Sequence, residues 1–314
     1  MNTAAPSTLP EGFRPLNFPT GRFLAENGPI LGRRDGKHIQ LGLEIGEQHG
    51  NAGGICHGGM SMALADTQLV LGAMAQLDNW SPLMTINTCV DFVRPGLIGG
   101  AFRGETKIIR ATRNLVFAEA MLYLDDELAM RCSGVLKRTT FDAFDPDHLF
   151  LDAPDIQPGE RGDPAAPDGF RPVHIPGPFL VVNGPLHGQL DGDILRLGLR
   201  IEDRHCNFAG VCHAGTLMTF ADVQMGIGMM FRTDEYGFKP TMHMSSDFAV
   251  PVKPGSWLVG ETSVMRMTRN MAFSSCMLTV DGEPVVRSSG VNKRIADAPA
   301  VLSAETLFIV PGQT

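Results

Sequence analysis

One stretch of this sequence occurs twice, and any fold of the chain has to accommodate both copies. The first copy runs from Asn51 to Asp66 and the second from Asn207 to Asp222. Each copy begins with Asn, passes through a glycine-rich turn to a His, and reaches an Asp nine residues after that His. The residues between the His and the Asp are mostly apolar. The pattern predicts a turn that leads into a long helix carrying one carboxylate.

The duplication extends far beyond this stretch, at an offset of 156 residues almost throughout. Segments that start at Asn27, Leu41, Asp91, Gly104 and Arg110 recur at Asn183, Leu197, Asp247, Gly260 and Arg266. Such self-similarity is typical of a duplicated domain. The sequence therefore predicts a first unit at residues 1–140, an Asp- and Pro-rich linker at 141–168 and a second unit at 169–314.

Each unit shows the same order of predicted elements. In the first unit a helix over residues 58–77 is apolar on nearly all sides, which is typical of a buried helix. A short helical turn within 13–28 and a strand over 37–47 precede it, and strands over 83–93, 102–110, 116–124 and 128–138 follow it. A central helix followed by antiparallel strands places each unit in the α+β class.

Composition narrows the expected partners and location. The 314 residues are 43% hydrophobic, carry a net charge of −8 and contain no apolar run of transmembrane length. An acidic surface argues against general nucleic-acid binding, and no membrane partner is expected. The N-terminus lacks the pattern of a signal peptide and the six cysteines are sparse, so a cytoplasmic protein with reduced thiols is predicted.

A cluster of His and Cys residues in the second copy invites comparison with a zinc site, namely His205, Cys206, Cys212 and His213. The gap between the two cysteines is wider than is usual in zinc sites, and the first copy has Gly50 where the second has Cys206. No metal is therefore expected. The motif cysteines are interpreted as small buried residues.

The doubled motif resembles that of phenylacetate-degradation-type (PaaI-like) acyl-CoA thioesterases: Asn-x-x-Gly-x-x-His-Gly-Gly, with Asp nine residues after the His. A long helix wrapped by antiparallel strands is also the layout of the hotdog fold. The resemblance covers both units and nearly the whole chain. It implies a double hotdog, with the pair formed within one chain, and hydrolysis of a coenzyme A thioester without a cofactor. Assembly into a homo-oligomer is left open.

The resemblance also implies roles for four pairs of residues. The backbone N–H after the His polarises the thioester carbonyl, the Asp is general base or nucleophile, and the Asn and a strand Thr assist. The corresponding pairs here are Gly58 and Ala214, Asp66 and Asp222, Asn51 and Asn207, and Thr85 and Thr241. A helix N-terminus suits an oxygen that gains charge, and burial should raise the pKa of an Asp and improve it as a base.

Each assignment has a purely structural alternative. The Asp residues could be buried carboxylates held by backbone N–H groups, and Asn and Thr are ordinary residues of turns and strands. The two histidines, His57 and His213, are expected to hold the turn rather than to transfer protons. Ala214 adds a methyl group where the first copy has Gly58, so the two turns are not expected to be equally active.

Further residues that recur in both copies are candidates for binding the substrate. The motif glycines Gly59 and Gly215 adjoin the predicted carbonyl site. Arg and Lys bind phosphates, which coenzyme A carries. The phosphate candidates are Arg113, Asn114, Lys137 and Arg138, with Arg269, Asn270, Lys293 and Arg294 in the second copy. These residues could equally be turn residues and solvated charges.

The spacing of the motif predicts crossed active sites. Gly58 and Asp66 are about 12 Å apart along one helix, which an Asp side chain cannot span. If the two helices pack antiparallel, Asp222 faces the turn at Gly58 and Asp66 faces the turn at Ala214. The second unit is also richer in methionine, which predicts that its acyl pocket accepts bulkier groups.

Two other functions remain open on the sequence alone. A non-catalytic module that binds or senses acyl-CoA would need neither the Asp nor the Asn of the motif. A hotdog hydratase or dehydratase acting on acyl-CoA usually pairs a His base with an acid further along the chain, and this sequence has no such motif.

Overall fold

The structure, a computed structural model, describes residues 9–18, 22–151, 165–295 and 298–308. It is a double hotdog, in which antiparallel strands accompany one long helix in each unit. The elements of the first unit are β1 (Arg14–Pro15), α1 (Arg22–Glu26), β2 (Leu31–Asp35), β3 (His38–Glu44), α2 (Gly58–Leu77), β4 (Leu83–Phe92), β5 (Ala101–Ala111), β6 (Leu115–Leu124) and β7 (Glu127–Arg138).

The second unit repeats this order. Its elements are β8 (Arg171–Pro172), α3 (Pro178–Asn183), β9 (His187–Asp191), β10 (Ile194–Arg200), α4 (Ala214–Thr233), β11 (Thr241–Phe248), β12 (Trp257–Met267), β13 (Met271–Val280), β14 (Glu283–Lys293) and α5 (Ala304–Leu307). Within the described ranges, none of the helices is both long and apolar enough to cross a bilayer.

The strands of both units form one continuous antiparallel sheet. The units join where β4 pairs with β11, and Cys89 lies opposite Ser245 at this seam. The order across the sheet is β1-β2-β3-β5-β6-β7-β4-β11-β14-β13-β12-β10-β9-β8. The second half of this order mirrors the first, as expected for a dimer-like pair contained within one chain.

Helices α2 and α4 pack antiparallel, because Gly59 meets Thr219 while Ala63 meets Gly215. A Cβ placed on Gly59 would lie 2.2 Å from Oγ1 of Thr219, and one on Gly215 would lie 2.5 Å from the Ala63 Cβ. Side chains do not approach so closely. Glycine at these two positions therefore sets the distance between the helices and aligns each helix start with the middle of the other.

A buried glutamine ties each long helix to the sheet. Oε1 of Gln68 accepts a hydrogen bond from the N–H of Leu41 at 2.7 Å, and its Nε2 donates to the carbonyl of Ile39 at 3.0 Å. Gln224 makes the equivalent two bonds to β10. These contacts satisfy a polar side chain inside an otherwise apolar core and fix the rotation of each helix.

The short helices α1 and α3 each cover the other unit. The N–H of Phe23 donates to the carbonyl of Cys206, and the N–H of Phe179 donates to the carbonyl of Gly50. Between these helices the side chains of Asn27 and Asn183 hydrogen-bond reciprocally, at 3.0 and 2.8 Å. This amide pair gives a structural reason for the recurrence of Asn-Gly-Pro in both units.

The structure departs from the sequence-based predictions in three places. The hairpin partner β2 was not predicted, and the predicted helical turn is limited to α1. Part of the predicted linker packs on the first unit: Pro146–Phe150 forms a 3-10 turn, and the carbonyl of its buried Leu149 accepts from the N–H of Asn17. Linker residues 152–164 and the tail beyond 308 lie outside the described residues, so the domain boundaries stay predictions.

Candidate active site

The histidine of each motif caps the long helix. Nδ1 of His57 accepts a hydrogen bond from the N–H of Gly59 at 2.9 Å, and the His57 carbonyl accepts from the N–H of Met60. His213 makes the same 2.9 Å bond to Gly215. The imidazole nitrogen and the backbone carbonyl of the His thus accept hydrogen bonds from the first helical turn, as expected for an N-cap.

The asparagine shapes the loop before the His. Oδ1 of Asn51 accepts from the N–H of Gly53 at 2.8 Å, and Oδ1 of Asn207 accepts from the N–H of Ala209 at 2.9 Å. These are the local bonds that asparagine commonly makes in turns. Each Asn also lines the cavity in front of its turn.

Within the described residues, the first N–H of each long helix is unpaired. Among the described residues, no group accepts a hydrogen bond from the N–H of Gly58 or from that of Ala214. Both lie at the first position of a long helix, where the positive end of the helix dipole favours negative charge. A carbonyl oxygen that gains charge would be stabilised there.

The carboxylates lie two turns into the helices and are held by threonine. Oγ1 of Thr85 donates to Asp66 at 2.8 Å, and Oγ1 of Thr241 donates to Asp222 at 2.6 Å. Asp66 is only 4% exposed, and Asp222 is partly buried. Burial raises the pKa of both carboxyl groups from 3.8 to about 6, against the smaller opposite effect of the threonine bond.

The structure brings the predicted residues together across the units. Oδ2 of Asp222 is 3.6 Å from the position of a Cβ on Gly58. One cavity is lined by Asn51, His57, Gly58, Asp222 and Thr241, and we call it the Asp222 site. The other is lined by Asn207, His213, Ala214, Asp66 and Thr85, and we call it the Asp66 site. The crossed arrangement predicted from the motif spacing is the one found.

Aromatic rings of α1 and α3 complete the two turns. Phe179 stacks on His57 with ring centroids 5.0 Å apart, and Phe23 stacks on His213 at 5.1 Å. Burial lowers the pKa of both imidazoles from 6.5 to about 4, so they are neutral at pH 7. Since Nδ1 accepts a hydrogen bond, the ring proton is on Nε2. The sequence reading did not anticipate these two phenylalanines.

The second motif glycine lies away from the cavities. Gly59 and Gly215 occupy the contact between α2 and α4, and their N–H groups are bound by the capping histidines. The structure therefore gives these two residues a packing role in place of the predicted substrate contact.

Two of the predicted phosphate-binding residues border the cavities. Lys137 lines the Asp66 site and Lys293 lines the Asp222 site, and both side chains are exposed. They are the final or near-final residues of β7 and β14. Each therefore belongs to the same unit as the carboxylate of its site.

The other predicted phosphate-binding residues differ in the partners that their side chains have. The Nε of Arg138 donates to the carbonyl of Thr112, whereas Arg294 forms an ion pair with Glu235, at 2.9 Å from its Nε. The exposed turns Arg113-Asn114 and Arg269-Asn270 line none of the cavities found in the described residues, but each adjoins the end of a last strand through a backbone bond. Arg294 is thus engaged within the protein, which weakens it as a phosphate ligand.

The two sites differ in polar residues that sequence reasoning missed. Nδ2 of the buried Asn292 donates to Oγ1 of Thr241 at 3.0 Å, which leaves the threonine proton for Asp222. The repeat offset puts Leu136 at the corresponding place in the Asp66 site. Alignment of the two copies shows the difference between Asn292 and Leu136. Its consequence for the site is clear only when the structure places Thr241 beside Asn292.

Comparison with known proteins agrees with the fold and identifies the family. Both units match the Thioesterase superfamily model, over residues 53–130 and 209–286. A Pseudomonas aeruginosa protein provisionally named as an esterase is 35% identical over 126 residues, which are 40% of this chain and 94% of the relative. The chain therefore belongs to the thioesterase superfamily, and it is a thioester hydrolase.

Solved structures share the double-hotdog architecture at low sequence identity. A Novosphingobium aromaticivorans protein, provisionally named as a thioesterase, is 16% identical with a TM-score of 0.61, and the match covers 84% of this chain and 98% of that protein. The acyl-CoA thioesterase II TesB2 of Mycobacterium marinum is 11% identical with a TM-score of 0.55, and the match covers 82% and 92%.

Proposed function

We propose that this protein hydrolyses acyl-CoA thioesters to the free acid and coenzyme A at both composite sites. The observation that carries the proposal is the position of Asp222 beside Gly58, with a raised pKa and a free helix N–H in front of one cavity. The fold shared with the Mycobacterium marinum acyl-CoA thioesterase adds support for the coenzyme A substrate.

In the proposed reaction the N–H of Gly58 binds the thioester carbonyl oxygen. Asp222 takes a proton from water as the water oxygen attacks the carbonyl carbon, and the N–H stabilises the resulting oxyanion. Collapse of the tetrahedral intermediate breaks the C–S bond, and the proton held by Asp222 goes to the departing thiolate. Ala214 and Asp66 have the same roles in the second site.

The same geometry is compatible with direct attack by the carboxylate. An Asp oxygen would then bond to the carbonyl carbon, expel the thiolate and form an anhydride that water hydrolyses. Single turnover in ¹⁸O-labelled water tests for the nucleophilic route. Label in the protein carboxylate indicates a nucleophile, whereas label only in the acid product indicates that water attacks the acyl carbon, as the general-base route requires.

The proposal is tested with a thiol reagent that detects release of coenzyme A from a panel of acyl-CoAs. The double variant Asp66→Asn, Asp222→Asn is expected to lose at least about 100-fold in rate, the lower end of general acid–base contributions. The matched control is Asp78→Asn, Asp234→Asn, at the exposed C-caps of the same two helices. Near-normal release by the first variant would contradict the proposal, and binding without release by the native protein would favour a sensing module.

A further inference from the structure

We propose that the two sites accept acyl groups of different size, and that Gly226 and Val70 set this difference. The Asp222 site takes long or bulky apolar acyl groups, and the Asp66 site takes short ones. The inference rests on the proposed acyl-CoA hydrolysis. It assigns a specificity-determining residue to each site.

Gly226 leaves space open one helical turn beyond the carboxylate. It lies four residues after Asp222 on α4, about 6 Å along the axis, and it lines the Asp222 site. Apart from its own helix backbone and its two chain neighbours, a Cβ placed on it would have no atom within 4 Å. The glycine is therefore not required by packing, and its missing side chain contributes volume to the cavity.

The equivalent residue of the other site is Val70. It lies four residues after Asp66 on α2, lines the Asp66 site and is 8% exposed. Its isopropyl group stands where the Asp222 site is open. The repeat offset of 156 residues thus pairs a glycine with a β-branched side chain at the same point of two otherwise matching cavities.

The two cavities also differ in depth, and the cavity with the glycine is the deeper one. In the Asp222 site the lining continues a further turn to Met230, about 12 Å along the axis from the carboxylate. In the Asp66 site the lining from α2 ends at Leu71, and the counterpart Met74 is fully buried in the core. The cavity volumes are about 490 Å³ for the Asp222 site and about 260 Å³ for the Asp66 site.

An aromatic side chain also stands at the edge of the Asp66 site. Phe208 borders this site and also an adjacent cavity of about 380 Å³, beneath Phe144 and Leu149 of the packed part of the linker. The residues that border both cavities are Phe18, Leu71, Pro82, Phe208 and Ala209. The ring of Phe208 lies 5.9 Å from that of Phe144. The counterpart of Phe208 in the Asp222 site is Ala52, which has no side chain large enough to divide the space.

An apolar pocket discriminates acyl groups mainly by the volume it offers. One methylene more or less in such a pocket changes selectivity by roughly 10–200-fold. In the proposed placement the acyl chain runs along the helix from the carboxylate, so a butyryl group ends close to the carboxylate and an octanoyl group extends past position 226 or position 70. The ratio of kcat/KM for octanoyl-CoA to that for butyryl-CoA therefore reports on the space at these two positions.

The experiment measures this ratio with only one site working. The Asp66→Asn variant isolates the Asp222 site, and the Asp222→Asn variant isolates the Asp66 site. The ratio is expected to be at least tenfold higher for the isolated Asp222 site. Adding Gly226→Val to it should lower the ratio at least tenfold, and adding Val70→Gly to the isolated Asp66 site should raise it. Gly226→Ala and Val70→Ala serve as milder changes if either exchange impairs folding, which circular dichroism checks.

Phe208→Ala in the isolated Asp66 site adds an independent arm. This substitution widens the connection to the adjacent cavity and should raise the ratio of kcat/KM for octanoyl-CoA to that for butyryl-CoA. The inference would be overturned by equal ratios for the two isolated sites, or by ratios that do not respond to any of these exchanges. Hydrolysis of butyryl-CoA in the same variants would still support the proposed function. An absence of hydrolysis with both acyl groups in the native protein would instead count against the proposed function itself.

Discussion

Asp222 lies against Gly58 of the other unit, with its Oδ2 3.6 Å from the position that a Cβ would take on that glycine. The Asp of the same helix as Gly58 is eight residues away, about 12 Å along the axis. Each cavity therefore combines a turn from one unit with a carboxylate from the other. Neither unit alone supplies both the turn and the carboxylate of a cavity, which is consistent with the full motif in both copies.

The crossed arrangement of turn and carboxylate predicts different activities for two double variants. His213→Ala with Asp66→Asn places both changes in the Asp66 site, so release of coenzyme A should equal that of Asp66→Asn alone. His57→Ala with Asp66→Asn damages both sites. Its release of coenzyme A should be at least about tenfold slower than that of Asp66→Asn alone, because the helix loses its cap and the N–H of Gly58 loses its position. The assay is thiol release, with circular dichroism to confirm folding. Retained activity in the second variant and loss in the first would mean that each unit holds its own site.

The pH dependence of hydrolysis should follow the raised pKa of the carboxyl groups. A base has to be ionised, so kcat/KM is expected to rise with pH through about 6 and to level off above it. The threonine bond lowers the pKa of its Asp, so Thr85→Val in the isolated Asp66 site should move the rise to higher pH. Thr85→Ser keeps the hydroxyl and is the control. A shift of the valine variant to lower pH would contradict the assignment.

The same pKa predicts a pH-dependent effect on stability. An acid whose pKa is raised in the folded state binds its proton more tightly there, so its ionisation destabilises the fold as pH rises from about 4 to above 6. A rise from 3.8 to about 6 corresponds to about 3 kcal/mol. Asp66→Asn should therefore raise the free energy of unfolding by up to about 3 kcal/mol at pH 8 and by roughly a third of that at pH 4.5.

The exposed Asp78→Asn is the control for this measurement, since it lies at the end of the same helix. Urea denaturation at the two pH values gives the free energies directly. A stabilisation by Asp66→Asn that is larger at pH 4.5 than at pH 8 would mean that the folded state favours the ionised carboxylate. That result would contradict the raised pKa of Asp66.

Much of this architecture could be predicted from the sequence because its signals are local. The apolar pattern gave the helix Gly58–Leu77 with the bounds that the structure has, and the rise per residue along a helix was enough to predict crossing. The strand β2 was missed because Leu31–Asp35 ends in charged residues and shows little alternation.

The remaining features depend on contacts between distant parts of the chain. Phe23 stacks on His213 from a helix of five residues, which is too short to give a periodic pattern. Gly59 looks like part of a ligand-binding turn until Thr219 of the other helix is placed against it. Asn292 acquires a meaning only beside Thr241. In each case the informative partner lies in another element, so no local pattern could predict it.

The lysines at the cavities should affect binding of the nucleotide part of the substrate. Lys137→Met with Lys293→Met removes one exposed charge from each site, and KM for acyl-CoA is expected to rise roughly fivefold, the upper range for an exposed ion pair. An acyl thioester of N-acetylcysteamine lacks the phosphates, so its KM should hardly change. Lys107→Met, an exposed lysine that borders neither site, is the control. An equal effect on both substrates would indicate a general effect on the fold.

The residue at the helix start should set the relative rates of the two sites. A methyl group on Gly58 would lie 3.6 Å from Oδ2 of Asp222 and 3.3 Å from the ring of Phe92, in the space between the free N–H and the base. The other turn already carries such a methyl group, at Ala214.

Gly58→Ala in the isolated Asp222 site is therefore expected to lower kcat/KM for butyryl-CoA roughly tenfold, because the carbonyl is displaced from the position facing the carboxylate. Ala214→Gly in the isolated Asp66 site should raise it, although glycine at the first helical position weakens the helix slightly. Circular dichroism and the thermal midpoint separate this loss of helix stability from the change in rate. If Gly58→Ala increased the rate, or if neither exchange altered it, the N–H at the helix start would not be the group that binds the carbonyl, and the donor would have to be sought elsewhere in the turn.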